Sequence, residues 1–212
     1  LIDEITYDEM LEMSSSGAGV LMARSVEFGR RYNIPIIVKS TFKNNKGTLV
    51  KGNIMEEAIV SGVTHNDREI KFTLFSVPDQ PGIAGTVFGA LSEIGTNVDM
   101  IVQNVSKDSI TDISFTAPSE QQDEVEEVLK QISEKLNAGG FDVDQNIARV
   151  SIIGAGMKSE SGVASKMFKI LGDSEINISM ISTSPIRVSC VINSKDTDQA
   201  LNVLHEEFII KK

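Results

Sequence analysis

The run Pro78-Asp79-Gln80-Pro81-Gly82-Ile83-Ala84 sets a carboxylate just ahead of an apolar helical pattern. The first turn of a helix leaves backbone N–H groups without partners, and its dipole makes that end attract anions. Asp79 in turn attracts a cation. An α-amino acid carries an ammonium and a carboxylate on one carbon, so the turn would answer both charges. A plainer reading stands beside this one, in which Asp79 caps its own helix. Asp99 and Gln103, on the next strand, share a face by the period of two.

Other residues able to do chemistry have duller explanations. Gly154-Ala155-Gly156 lies between a strand-like and a helical run, the setting of a dinucleotide loop, but Ser159 stands where a third glycine belongs. A tight strand-to-helix turn accounts for it better. No G-x-x-x-x-G-K phosphate loop occurs. Cys190 alternates with Val188 and Ile192, which predicts a buried, inert thiol. His65 beside the turn His65-Asn66-Asp67, and His205 among glutamates, read as solvated surface residues. The acidic run from Glu120 to Glu127 reads as the solvated face of a helix.

Composition narrows the class. The 212 residues are 41% hydrophobic and 24% charged, which fits a folded chain and neither a disordered tail nor a membrane protein. Lys plus Arg number 20 against 30 for Asp plus Glu, a net charge of -10, which disfavours nucleic acid and anionic membrane as partners. One cysteine excludes an intrachain disulfide framework and a multi-cysteine metal cluster, and two histidines leave little material for a His-rich metal site. With no long apolar run and no signal-peptide pattern, the chain reads as soluble and cytoplasmic. It opens on Leu1 rather than Met, which reads as an excerpt of something longer.

The elements that must position these residues come in a repeat. Residues 81–101 align with 161–181 without a gap at a spacing of 80. Gly82/Gly162, Ala84/Ala164, Phe88/Phe168, Leu91/Leu171, Asn97/Asn177, Met100/Met180 and Ile101/Ile181 are identical pairs. Seven matches in 21 exceed the about one or two expected from average usage, so the segment is duplicated. The first copy reads as a strand at 70–77, a helix from Ile83 to Gly95, strands at 98–104 and 110–117, a helix with a Ser119/Gln122 capping box, and a strand at 141–143. That order, βαββαβ, is ferredoxin-like. The second copy repeats it from 148, with a last helix over 197–208 capped by Asp196 with Gln199, but only Phe208-Ile209-Ile210 remains for its final strand. The spare run 58–65 can fill that gap by strand exchange. Upstream, Thr6 and Glu9 form a capping box for a short helix, a second helix carries Val20, Leu21, Val26 and Phe28, and 34–38 reads as a strand buried on both faces. The fold class is therefore α+β: two ferredoxin-like units preceded by a partial α/β piece.

Several strings together resemble one family. Val77-Pro78-Asp79-Gln80-Pro81-Gly82, Asn97-Val98-Asp99-Met100, Gln103-Asn104-Val105-Ser106, Gly154-Ala155-Gly156-Met157 and Ile181-Ser182-Thr183-Ser184 are similar to the paired ACT domains of aspartokinases. Ser16-Gly17-Ala18-Gly19-Val20-Leu21 and Arg24-Ser25-Val26-Glu27 look like the closing helices of the amino-acid-kinase domain. The resemblance divides the chain into a kinase-domain remnant at 1–57, a first ACT domain at 58–146 and a second at 147–212. It implies a regulatory region or regulatory subunit that binds lysine, threonine or both for feedback inhibition, or else a dimerisation scaffold that holds no ligand. The family's Lys-Phe-Gly-Gly-Thr-Ser nucleotide strand is missing, so the chain alone should not phosphorylate aspartate, and ATP and Mg would belong to a catalytic part. Carried over residue by residue, effector contacts fall on Asp79, Gly82, Ile83, Ala84, Asn97, Val98, Asp99 and Gln103, with Asn177 and Ile178 opposite. A related pocket falls around Met157, Val163, Ala164 and Ser184. Ser159 and Ser179 stand where the first copy has Asp79 and Asp99, so the copies are not equivalent. Some relatives carry an acidic residue where this chain has Lys166, which leaves threonine beside lysine. The implied partners are a second copy, paired through the ACT domains, and a catalytic aspartokinase subunit.

Overall fold

The computed structural model describes residues 2–52, 59–104 and 109–211. The chain divides into two units, Leu1–Asn66 with Ala148–Lys212, and Asp67–Ile147.

The first unit begins with β1 (Glu4–Thr6) and α1 (Tyr7–Ser15). The predicted capping box forms: Thr6 Oγ1 accepts from the Glu9 amide at 3.2 Å, and Glu9 Oε2 accepts from the Thr6 amide at 3.0 Å. α2 (Ala23–Tyr32) ends on Asn33, whose φ of 52° closes the helix in the left-handed region. Val20 and Leu21, expected within its apolar stripe, precede it, and only Val26 and Gly29 are buried along it. Phe28 instead stacks on Tyr32 at 6.2 Å and stays exposed. β2 (Ile36–Val38) and β3 (Thr48–Lys51) complete a small sheet in which β3 pairs parallel with β1 and antiparallel with β2. The expectation of a strand buried on both faces does not hold. β2 is an edge strand; Ile36 and Val38 pack on the core while Ile37, on the other face by the two-residue period, is 60% exposed.

The run expected to open the first ferredoxin-like domain belongs elsewhere. β4 (Gly62–Asn66) pairs antiparallel with the strand Ile147–Ile153, from Gly62↔Ile153 to Asn66↔Arg149. The boundary drawn at 58 therefore moves to Asp67, and strand exchange supplies the fourth strand that the second copy lacks. Ala58 itself lies outside the described residues. His65 sits half-buried in β4 rather than on a solvated turn, whereas His205 is exposed as expected.

The second unit holds β5 (Glu69–Pro78), α3 (Ile83–Glu93), β6 (Ile101–Gln103), β7 (Ile110–Pro118), α4 (Gln122–Leu136) and β8 (Gly140–Asp144). Its sheet order β6-β7-β5-β8 is the ferredoxin-like arrangement. Phe72, Leu74, Val87, Leu91, Ile113, Phe115, Val125 and Leu129 form its core, all essentially solvent-free.

The chain then returns to the first unit with β9 (Ile147–Ile153), α5 (Val163–Asp173), β10 (Met180–Ser184), β11 (Arg187–Asn193) and α6 (Thr197–His205), in the order β10-β11-β9-β4. α3 and α5 keep the 80-residue offset along their whole length, and both start from a glycine in the left-handed region, Gly82 at φ 94° and Gly162 at φ 91°. Phe208-Ile209-Ile210 forms no strand. Residues Glu206–Ile210 make a wide helical turn that carries Phe208 into the core. Cys190 is fully buried, and burial pushes its thiol pKa up to about 12, in line with an inert side chain.

Two expected helix caps are absent. Short 3-10 turns, Ser119–Gln121 and Ser194–Asp196, precede α4 and α6, and neither helix receives a side-chain cap from Ser119 or Asp196. Gln122 Nε2 bonds Glu126, and Gln199 Nε2 bonds the Ser174 carbonyl at 3.0 Å. The residue that does cap is Asn193, whose Oδ1 accepts from the Lys195 amide at 3.1 Å. Asn193→Ala should therefore cost about 1 kcal/mol in urea unfolding, against less than about 0.5 kcal/mol for Ser119→Ala.

Candidate effector site

The turn after β5 opens onto space. Asp79 is half-buried, and its amide donates to the Ser109 carbonyl at 2.8 Å. Its carboxylate does not cap α3, which has no side-chain cap at all. The capping reading of Asp79 thus falls away. Among the described residues the Ala84 and Gly85 amides find no acceptor, while the Ile83 amide reaches the Gln80 carbonyl at 3.3 Å. A side chain built on Gly82 or Gly85 would meet nothing within 4 Å. An uncapped, open helix N-terminus with a carboxylate just before it is what a zwitterion needs.

Strand register decides which expected residues share this end of the sheet. Pro78 pairs with Ile110 and Gln103 with Ile113, and the Thr111 hydroxyl bonds the Asn104 carbonyl, so Gln103 lies toward the Asp79–Ala84 turn. Asn97, Val98 and Asp99 lie at the opposite end: the Asp99 amide donates to the Thr116 carbonyl at 3.2 Å. Asp99 precedes β6 by two residues and Gln103 ends it, a span of up to about 13 Å if extended throughout. Both remain on the exposed side, since Met100 between them is buried and Val102 half-buried. Buried Thr116 pins this segment through its hydroxyl to the Met100 amide. Val98 packs inward on the core, and Asn97 is exposed.

The first unit repeats the division. The Gly154 amide donates to the Ile186 carbonyl at 3.0 Å, and Ser184 pairs with Arg187, so the turn Ala155–Lys158 with Met157, the start of α5 with Val163 and Ala164, and Ser184 gather at one end. Asn177 and Ile178 lie at the other, next to Ser179, whose amide meets the Val191 carbonyl at 2.8 Å. Met157, Val163, Ala164 and Ile178 lean on the core of this unit. The Ser159 hydroxyl is spent on the Gly156 carbonyl at 3.0 Å. Lys166 lines the same cavity as Gly162 and Val163, and its ammonium is engaged there: it donates to the Glu207 carbonyl at 3.0 Å and sits 4.9 Å from the Phe208 ring. Gly154 needs no nucleotide to explain it: a Cβ there would collide with the Ile59 carbonyl oxygen.

One residue of this neighbourhood escaped sequence reasoning beyond its local role. Glu9 is 2% exposed, and its carboxylate is filled on both oxygens. Oε2 accepts from the Thr6 amide and, at 2.7 Å, the Thr6 hydroxyl; Oε1 accepts from Ser61 Oγ at 2.5 Å and the Ala155 amide at 2.9 Å. Burial alone would raise its pKa, but the bonds from Ser61, Ala155 and Thr6 together outweigh burial and hold it below the usual carboxylate range. A carboxylate depressed on folding stabilises the fold above its unfolded pKa and ceases to do so as pH falls through its folded pKa. The stability gap between the parent and Glu9→Gln should therefore be widest near neutrality and shrink as pH falls below the ordinary carboxylate range, as read by urea unfolding.

Comparison with known proteins bears on the duplicated fold. Residues 71–137 and 150–208 each match a model described as an ACT domain. Aspartate kinase of Pseudomonas fluorescens is 45% identical over 210 residues, covering 98% of this chain and 51% of the relative. The crystal structure of the ligand-free regulatory subunit of aspartate kinase from Thermus thermophilus is 36% identical with a TM-score of 0.68, covering 71% of this chain and 99% of that one. The chain belongs to the aspartokinase family. It corresponds to the regulatory region that carries the paired ACT domains. Aspartate kinase from Synechocystis, 37% identical with a TM-score of 0.72, is covered over 38% of its length while 98% of this chain aligns. The chain spans about half the length of the curated aspartokinases it matches.

Proposed function

We propose that this chain binds lysine, threonine or both and uses that binding for feedback control of an aspartokinase. The observation that carries the reading is the uncapped N-terminus of α3, with the Asp79 carboxylate beside it and open space around Gly82. The α-carboxylate of the effector would take the free amides of Ala84 and Gly85, and its ammonium would take Asp79. Asn97, Asp99, Asn177 and Ile178 lie at the far end of their own sheets from the turn. On this reading they would meet the turn of a second copy. Edge strands β6 and β10, with Ile101 and Ile181 exposed at equivalent positions, offer the surface for that homodimer. Binding regulates only if the effector prefers one of two arrangements of such a dimer.

On this reading no cofactor belongs to this chain; ATP and Mg act in a catalytic aspartokinase part or subunit, to which the effector signal passes. The compartment proposed is the cytoplasm, with neither nucleic acid nor membrane as partner. Among the described residues no helix is long and apolar enough to cross a membrane. Calorimetric titration with L-lysine and L-threonine tests the proposal. Saturable heat with either supports it. A homodimer that gives heat with neither, at millimolar ligand, would leave the scaffold reading in its place.

A further inference from the structure

The N-terminal α/β piece and the second ACT sheet meet through one helix. α1 sends Glu9 to the Ala155 amide and Ser61 Oγ, and Glu12 to Arg187 at 3.3 Å. Met13 of the same helix lies against Gly62, and Ile153 of β9 is buried in the cluster formed by Ile5, Tyr7, Met10 and Met13. These contacts fall on one end of the sheet. Ala155 opens the turn that carries Met157, and Arg187 is the pairing partner of Ser184. Both Met157 and Ser184 belong to the expected effector pocket of this unit.

Glu9 differs from its neighbours in what its loss would release. The Glu12–Arg187 pair is partly exposed, so water can replace either partner. The Glu9 carboxylate is buried and serves four donors from three segments, two of them 52 and 146 residues away in sequence. Moving the Ala155 turn without moving α1 would strand a buried charge or a buried amide, which is costly. The two elements are thus constrained to shift together.

We propose that Glu9 is a positioning residue that couples the effector-facing turn Ala155–Lys158 to α1, so that ligand occupancy at the turn is passed to the kinase-like piece. The proposal rests on the effector reading for the cause of the turn's motion, and on the carboxylate geometry alone for the passage of that motion to α1.

Amide hydrogen exchange on this chain, with and without saturating L-lysine or L-threonine, tests it. In the parent, ligand should slow exchange in residues 156–159 and in α1 together. In Glu9→Gln, whose amide group can no longer accept from every donor, ligand should still slow 156–159 while α1 no longer responds. An α1 response equal to the parent's overturns the coupling. Ala155→Pro provides the second variant: it deletes the other half of the bond at the first position of a helical turn, where proline is tolerated, after an extended Gly154. It too should uncouple α1. If neither amino acid alters exchange anywhere in the parent, the effector reading fails, and the ligand-free comparison decides the coupling by itself. Each variant should then speed exchange about tenfold in both segments; acceleration confined to one segment overturns the proposal.

Discussion

Asp79→Ala should weaken lysine or threonine binding by about one to two decades, the equivalent of about 1.5 to 3 kcal/mol for a charge-assisted hydrogen bond in a partly desolvated site. Ser159→Ala, at the matching place in the second copy, should cost about 1 kcal/mol or less. The asymmetry comes from bonding already in place. The Ser159 hydroxyl is committed to the Gly156 carbonyl, whereas Asp79 gives nothing to the helix after it. For the same reason Asp79→Ala should leave the melting temperature close to the parent's, since no helix cap is lost. Titration calorimetry alongside melting curves separates the two effects. Parent-like binding by both variants would place the site elsewhere.

A larger effect, on stability, is expected at Phe115. It is solvent-free at the middle of β7, stacked on Phe72 at 5.4 Å and edge-on to Phe88 at 5.6 Å. Phe115→Ala removes the shared member of both ring pairs from a core with little freedom to collapse, and should cost about 3 to 5 kcal/mol. The loss should concentrate in Asp67–Ile147, because the other unit has its own core around Val150, Ile152, Met167 and Leu171. Exchange measured segment by segment should show protection falling in β5 and β7 and persisting in β9 and β11. A uniform fall across both units would contradict two separately packed cores.

Much of this was legible because it is local. The Pro81-Gly82 turn, the helical stripes ending in Leu91 and Leu171 and the alternation in 70–77 each depend on residues within a few places of one another, and repetition at 80 residues read the helix twice. The capping box at Thr6 is local in the same sense and forms as expected. Local rules also misled. Ser119 with Gln122, and Asp196 with Gln199, have the right spacing, but 3-10 turns enter both helices and leave the side chains pointing to other partners. Burial of 34–38 was misjudged because a short apolar run looks the same at the edge of a sheet as at its centre. What sequence could not show were partners chosen by the fold. Nothing near Glu9 in sequence announces Ser61 or Ala155, and nothing in Asn97 or Gln103 reveals that the segment from 97 to 103 carries them to opposite ends of the sheet.

The pairing of β4 with β9 also governs the sequence in which the chain can organise itself. Asn66 and Arg149 face each other across that ladder, with the whole of Asp67–Ile147 made between them. During synthesis β4 therefore leaves the ribosome with its hydrogen-bonding edge unsatisfied and must wait until an entire ferredoxin-like unit has emerged. Early folding of that unit shortens the wait. Its ends, Asp67 and Ile147, adjoin neighbouring strands, so once folded it holds β4 and β9 close and replaces a long flexible loop with a compact bridge, reducing the closure entropy that a distant pairing would otherwise incur. A lesion that slows the inserted unit would then leave β4 exposed as an unpaired edge, and aggregation of the nascent chain would report it before any loss of equilibrium stability did.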